Sequence, residues 1–220
     1  KGYPSPNTQV NVSIPDGNGG WYIGGWFTYL GGVQRSYLAQ INSTGQLNTN
    51  LTMVNGVVKS LLLTGDTLLV GGDFTSVGDD VHLTSSIITD NNGNLLHDFV
   101  LTNQLETINT TSADGNGGWF VGGAFSSIGG QPRNNIAQID GNGLVTTWNA
   151  NIDGSITQMK VIGNYLFISG NFTSVNGQPR FRFAALDKNS GALMPIIADL
   201  NGNEVSSFLI TGDSLILGGN

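Results

Sequence analysis

Cysteine is absent from the 220 residues, so no disulfide, thiolate metal site or thiol nucleophile can form, and the chain carries no redox mark of its compartment. Charge is scarce, at 10% of residues, and 15 Asp and Glu against 8 Lys and Arg leave a net −7. A surface of that sign repels phosphate backbones and anionic lipid, which argues against nucleic-acid or membrane-surface partners. No run approaches the roughly 18 apolar residues of a spanning helix, so no direct membrane insertion is expected. The start, Lys1-Gly2-Tyr3-Pro4, has neither a methionine nor an apolar signal core and reads as processed or excerpted.

Glycine is plentiful, with 33 residues, and Asn, Thr and Ser fill the gaps between short apolar runs. Such a composition suits many tight turns joining short strands. One signature organises them. Val121-Gly122-Gly123-Ala124-Phe125-Ser126-Ser127-Ile128-Gly129-Gly130 returns at Ile23 to Gly32, Val70 to Asp79 and Ile168 to Gly177, and a fifth copy opens at Leu217-Gly218-Gly219-Asn220. Counted on the second glycine of each pair (Gly25, Gly72, Gly123, Gly170 and Gly219), the spacings are 47, 51, 47 and 49 residues. That period, with alternation of period two and no long 3.6-period faces, predicts an all-β propeller of four-stranded blades. The blades fall at about 8–54, 55–105, 106–153 and 154–201, with part of a fifth at 202–220, in a single domain.

The register holds beyond the glycines. Two residues past each anchor stand Phe27, Phe74, Phe125 and Phe172, predicted to be buried between blades; fourteen past stand Ala39, Ser86, Ala137 and Ala184. In blade 4 the strands read as Ile156 to Ile162, Tyr165 to Gly170, Phe181 to Leu186, and a fourth from Ala192 to Ile197 broken by Pro195. The incomplete fifth copy implies part of a longer ring, continuing along the same polypeptide or completed by another chain.

These Gly-Gly-x-Phe-[Ser/Thr]-x-[Val/Ile] blades resemble the delta-sixty type propeller repeats of large secreted bacterial proteins and, more distantly, the kelch-like repeats of fungal cell-surface polarity markers. The resemblance covers essentially the whole chain. It implies an extracellular or cell-surface multidomain protein and transfers no catalytic residue.

Candidate chemistry is sparse. The glycine pairs end a strand with no helix to hold a phosphate, and suit a bulge, a positive φ, or a close approach of the next blade. Arg35, His82, Arg133 and Arg180 share one position ten past the anchor, where guanidiniums suit backbone carbonyls at a blade junction; the other reading is an anion-binding ring. The turns Asp16-x-Asn18, Asp114-x-Asn116 and Asp90-x-Asn92 look like fragments of a calcium loop but lack its terminal Glu, and serve equally as hairpin turns, so no cofactor is expected. Histidine is limited to His82 and His97, and Asp79-Asp80 is the only adjacent acidic pair. Asn11, Asn42, Asn50, Asn109 and Asn171 stand in Asn-x-[Ser/Thr] sites, N-glycosylation acceptors in a host with that machinery, and Asp66-Thr67-Leu68 and Asp213-Ser214-Leu215 resemble the Asp-[Ser/Thr]-apolar acceptor of bacterial O-glycosylation, with a plain hairpin turn as the favoured reading. Trp26, Tyr29, Tyr37 and Trp148 occupy blade positions at which other units include Asp, Ser or Asn, and form the candidate binding platform, with edge-strand packing as the competing reading. The expectation is a non-catalytic module with a protein or glycan partner. The alternative is a polysaccharide hydrolase or lyase with paired carboxylates on the propeller face.

Overall fold

A computed structural model describes residues 2–78, 80–81, 84–90, 94–100, 106–196, 205–212 and 214–219. Every regular element among them is a strand. Two compact units divide the chain, residues 1–108 and 109–220.

The first unit holds blades 1 and 2. Blade 1 is the antiparallel sheet of β1 (Val10–Pro15), β2 (Trp21–Gly25) and β5 (Leu38–Ile41), with a small hairpin of β3 (Tyr29–Leu30) and β4 (Val33–Gln34) between the last two. Blade 2 is the sheet of β6 (Val57–Thr64), β7 (Thr67–Asp73), β10 (Thr84–Asp90) and β11 (Leu95–Val100), again interrupted by a hairpin, β8 (Ser76–Val77) with β9 (Asp80–Val81). Tyr22 and Leu38 of blade 1 pack with Val58, Leu61, Leu68, Val70 and Phe74 of blade 2 in one apolar layer.

The second unit repeats the plan. β12 (Thr107–Ala113), which spans the unit boundary, begins a sheet with β13 (Trp119–Ala124) and β16 (Ile136–Ile139), carrying the hairpin β14 (Ser127–Ile128) and β15 (Gln131–Pro132). Blade 4 is β17 (Ile156–Ile162), β18 (Tyr165–Gly170) and β21 (Phe183–Asp187), with the hairpin β19 (Ser174–Val175) and β20 (Gln178–Pro179). Asn176 and Gly177 turn that hairpin at φ 52 and 74, the left-handed pair that two-residue hairpins favour. A last hairpin joins β22 (Val205–Thr211) and β23 (Ser214–Gly219). Phe120, Ile136 and Trp148 from blade 3 pack with Ile156, Leu166, Ile168 and Phe172 from blade 4.

The glycine pair works through what it lacks. At the first glycine, a methyl on Gly24 would overlap Val58 of the next inner strand, and one on Gly71 would overlap Ile108. At the second, a methyl on Gly25, Gly72 or Gly170 would run into backbone at the start of its own blade's first strand, at Gln9 and Val10, Val57 and Val58, and Ser155 and Ile156. There the inner strand bulges, between Val10 and Val12, Val58 and Ser60, and Ile156 and Gln158. The bulge and the close approach therefore hold, whereas none of these glycines has a positive φ. Phe27, Phe74, Phe125 and Phe172 are all buried.

The fourth strand differs from expectation. It is a full strand in blade 2, but blades 1, 3 and 4 reduce it to single bridges, Ile41 to Leu47, Ile139 to Val145 and Leu186 to Leu193. Just past the bridge, Asn48 and Thr146 bond the glutamines Gln40 and Gln138 of the third strand, and Pro195 has no N–H to continue the ladder. Ile197 lies outside the described residues. The third strand of blade 4 starts at Phe183 rather than Phe181, because Arg182 turns the chain at φ 65.

Candidate functional site

Of the four aromatics in the candidate platform, Trp26 and Tyr29 are exposed, at 55% and 46%. Tyr37 is half-buried, at φ 64, beside the layer between blades 1 and 2. Trp148 is not a surface residue: it is 6% exposed and meets Phe120 edge-on, ring centroids 5.0 Å apart. Once the fourth strand has peeled away, the chain turns inward, so Trp148 fills the joint between blades 3 and 4.

The shared arginine position is occupied as a carbonyl cap. Arg35, 5% exposed, donates Nε to Leu38 O and Nη2 to Leu51 O, both at 2.7 Å. Burial pulls its pKa down. Arg133 donates to Pro132 O and Thr146 O at 2.6 Å, and Arg180 to Pro179 O at 2.8 Å. Leu51 O and Thr146 O belong to the chain that follows the shortened fourth strand, so these guanidiniums satisfy carbonyls that a full ladder would have paired. His82 lies outside the described residues.

The turn carboxylates are likewise engaged. Asp16 Oδ1 accepts from the N–H groups of Asn18 and Gly20 at 2.8 Å, while Oδ2 accepts from Gln40 Nε2 at 3.1 Å. Burial pushes the Asp16 pKa up, and these donors overcome it, so the net shift is downward. Asp114 makes the same set with Asn116, Gly118 and Gln138. Asp90 accepts from Asn94, and Asn92 lies outside the described residues. Among the described residues no three His, Cys, Asp or Glu side chains gather as a metal site requires. Asp79 and Asp213 lie outside the described residues too.

A repeated clamp escaped the sequence reading. Asn7 Oδ1 accepts from Thr28 and Tyr29 N–H, Asn55 Oδ1 from Thr75 and Ser76, and Asp153 Oδ1 from Thr173 and Ser174. Each ties the segment leading into a blade to the small hairpin of that blade. Burial raises the Asp153 pKa, but the bonds from Thr173 and Ser174 win and hold it at about 2. The signal was present in Thr28, Thr75 and Thr173, three past their anchors. Two glycosylation candidates prove to be blade links as well, Asn11 donating Nδ2 to Val58 O and Asn109 to Ile156 O, both at 3.0 Å.

A groove opens among the described residues of the first unit. It measures about 520 Å³ and is lined by Gln34, Ser36, Tyr37, Met53, Val54, Asn55, Ser76 and Gly78. Tyr29 stands opposite Gln34 in the β3–β4 ladder, so the exposed aromatic adjoins its rim.

Residues 17–50 and 115–145 match the family described as a beta-propeller domain of unknown function (DUF5122). Each stretch begins inside a nearly identical Asp-Gly-Asn-Gly-Gly-Trp turn, one at 16–21 and the other at 114–119. No curated protein matches the chain. Among solved structures it is similar to Saccharomyces cerevisiae Sqt1, with TM-score 0.64 and 14% identity over 98% of this chain and 58% of that one. It is similar also to a protein of unknown function from Bacteroides caccae, with TM-score 0.60 and 13% identity over 97% and 71% of the two chains. The WD40 domain of Neurospora crassa Pan2 gives TM-score 0.58 and 12% identity over 95% of this chain and 60% of that one. At such identities the likeness speaks for the fold, and the chain spans about three fifths of the Sqt1 and Pan2 chains. With the sequence repeats and the strand-only architecture, it establishes an all-β repeat protein of the β-propeller fold.

Proposed function

We propose that this propeller is a non-catalytic interaction module of delta-sixty or kelch-like type, acting outside the cell or at its surface within a larger protein or assembly. Adhesion or glycan contact is the role it fits. The observation that carries this reading is how the polar side chains are spent. Asp16, Asp90, Asp114, Asp140, Asp153 and Asp187 all accept from backbone N–H groups in turns or clamps, which is structural work. Among the exposed large apolar side chains, Trp26 and Tyr29 stand three residues apart at the small hairpin of blade 1. Exposed aromatics grouped on a rigid scaffold favour contact with a partner.

The test applies the purified chain to immobilised polysaccharides and assays the same polysaccharides for new reducing ends. Retention without cleavage is expected, weakened in a Trp26→Ala, Tyr29→Ala double variant. Release of reducing ends would mean that the module is an enzyme, and retention unchanged in the double variant would move the contact surface elsewhere.

A further inference from the structure

We propose that the groove at the joint of blades 1 and 2 binds a neutral sugar residue, an inference that rests on the interaction reading above. The molecule supplies its own control, because the joint of blades 3 and 4 has the same frame with different side chains. There Asn134 Nδ2 donates to Asn151 Oδ1 at 2.7 Å, Asn135 Nδ2 to Ile152 O at 2.8 Å, and Asn176 Oδ1 accepts from Asn151 N–H at 2.8 Å. Asparagines close that joint. The cleft left beside them, lined by Pro132, Arg133, Asn134, Asn149 and Asn151, is about 220 Å³.

In the joint of blades 1 and 2 the corresponding residues are Ser36, Tyr37, Met53 and Gly78. The backbone frame is retained: Val54 bridges Val77 as Ile152 bridges Val175, and Gly78 N–H donates to Met53 O at 2.7 Å as Asn176 N–H does to Asn151 O at 2.8 Å. The side-chain ladder is gone. The resulting 520 Å³ falls within the roughly 300–1,000 Å³ of small-molecule sites, and 220 Å³ falls below it. Tyr37 also holds φ 64, a conformation that Asn tolerates better than a bulky side chain, so a tyrosine there is costlier than the asparagine of blade 3.

The lining selects the ligand class. No charged side chain is among the described residues that form it, so an ion would lose water without gaining a partner. A wholly apolar ligand would instead strip water from Gln34, Ser36 and Ser76. A neutral sugar has a C–H face for Tyr37 and Met53 and hydroxyls for the amide and the serines. Asn55 is held by Thr75 and Ser76 and acts as frame.

The experiment follows methyl resonances of the full chain. Its three methionines are Met53 on the groove, Met159 in the core of the second unit and Met194, which serve as probe and internal controls. The probes are glucose, galactose, mannose, N-acetylglucosamine, maltose and cellobiose, with glucuronate and phenol as counter-probes. At least one neutral sugar should shift the Met53 methyl saturably, with Kd on the order of millimolar, and leave Met159 unmoved. Tyr37→Ala should weaken that binding about tenfold. A Ser36→Asn, Tyr37→Asn, Met53→Asn variant, which copies the closed joint, should lose it in a retention assay with an unchanged melting temperature. No Met53 shift with any neutral sugar, or saturation by glucuronate or phenol alone, overturns the proposal. Retention on an immobilised neutral sugar that is lost in the Trp26→Ala, Tyr29→Ala double variant while the Met53 methyl stays unmoved would overturn the groove assignment and leave the interaction reading standing.

Discussion

Asp153 Oδ2 accepts the Thr173 hydroxyl at 2.6 Å, and in blade 2 the neutral Asn55 holds Thr75 with donor and acceptor exchanged, Nδ2 to Oγ1 at 3.0 Å. One clamp geometry thus tolerates a charged and an uncharged residue. Asp153→Asn should keep the fold and cost less than about 1 kcal/mol, whereas Asp153→Ala strips the hairpin of its acceptors and should cost about 1–2 kcal/mol by chemical denaturation.

The two clamps differ in their response to acid. Asp153 falls from an ordinary 3.8 to about 2, so its stabilisation is complete above the unfolded value and fades as pH drops through that interval. The stability gap between wild type and Asp153→Asn should therefore shrink as pH falls from about 4 to about 2. A gap that widens on acidification would show that the carboxylate is not stabilised by its donors.

Phe125→Ala removes a buried ring just past the C-terminal end of β13 and should destabilise by about 3–5 kcal/mol. Gly71→Val should be damaging for the opposite reason, because Ile108 already occupies the space. An overpacked core costs about 1–3 kcal/mol, read as a lower denaturation midpoint, and pairing it with Ile108→Ala should recover part of that loss. Strict additivity of the two changes would refute the packing.

Arg35→Met keeps the stem and removes the donors, leaving Leu38 O and Leu51 O without them in a buried setting. A loss of about 1–3 kcal/mol is expected for each carbonyl stranded. Arg180→Met, where Pro179 O is exposed, should cost less. Equal effects at the two sites would mean that burial does not set the value of this repeated arginine.

The sequence exposed those features whose residue type is dictated by geometry at a fixed offset. Gly24, Gly25 and Phe27 recur because each blade has the same lack of space and the same cavity to fill, and the strands β17 and β18 were read residue for residue. Trp148 was misplaced because the peeling fourth strand breaks the alternation by which a side chain is assigned to a face. The clamps of Asn7, Asn55 and Asp153 were missed because each belongs to the chain entering a blade, whereas offsets were counted forward from the glycines within it. The groove was hidden for a related reason: it opens where Ser36, Tyr37, Met53 and Gly78 replace the asparagines that close the joint of blades 3 and 4, a contrast seen only by setting one joint against the other.

The bare face of Gly24 meets Val58 in the first unit, and that of Gly122 meets Ile156 and Met159 in the second, each time from one blade to its successor. Each blade is thus a socket on its leading side and a plug on its trailing side, and the joint is head-to-tail rather than mutual. Because both halves of the coupling are carried inside one repeat, copying or deleting a whole repeat rejoins a plug to a socket of the same make. Unequal recombination can lengthen or shorten such a gene without inventing a new interface, while any cut made inside a repeat separates the glycine from the inner strand its neighbour expects.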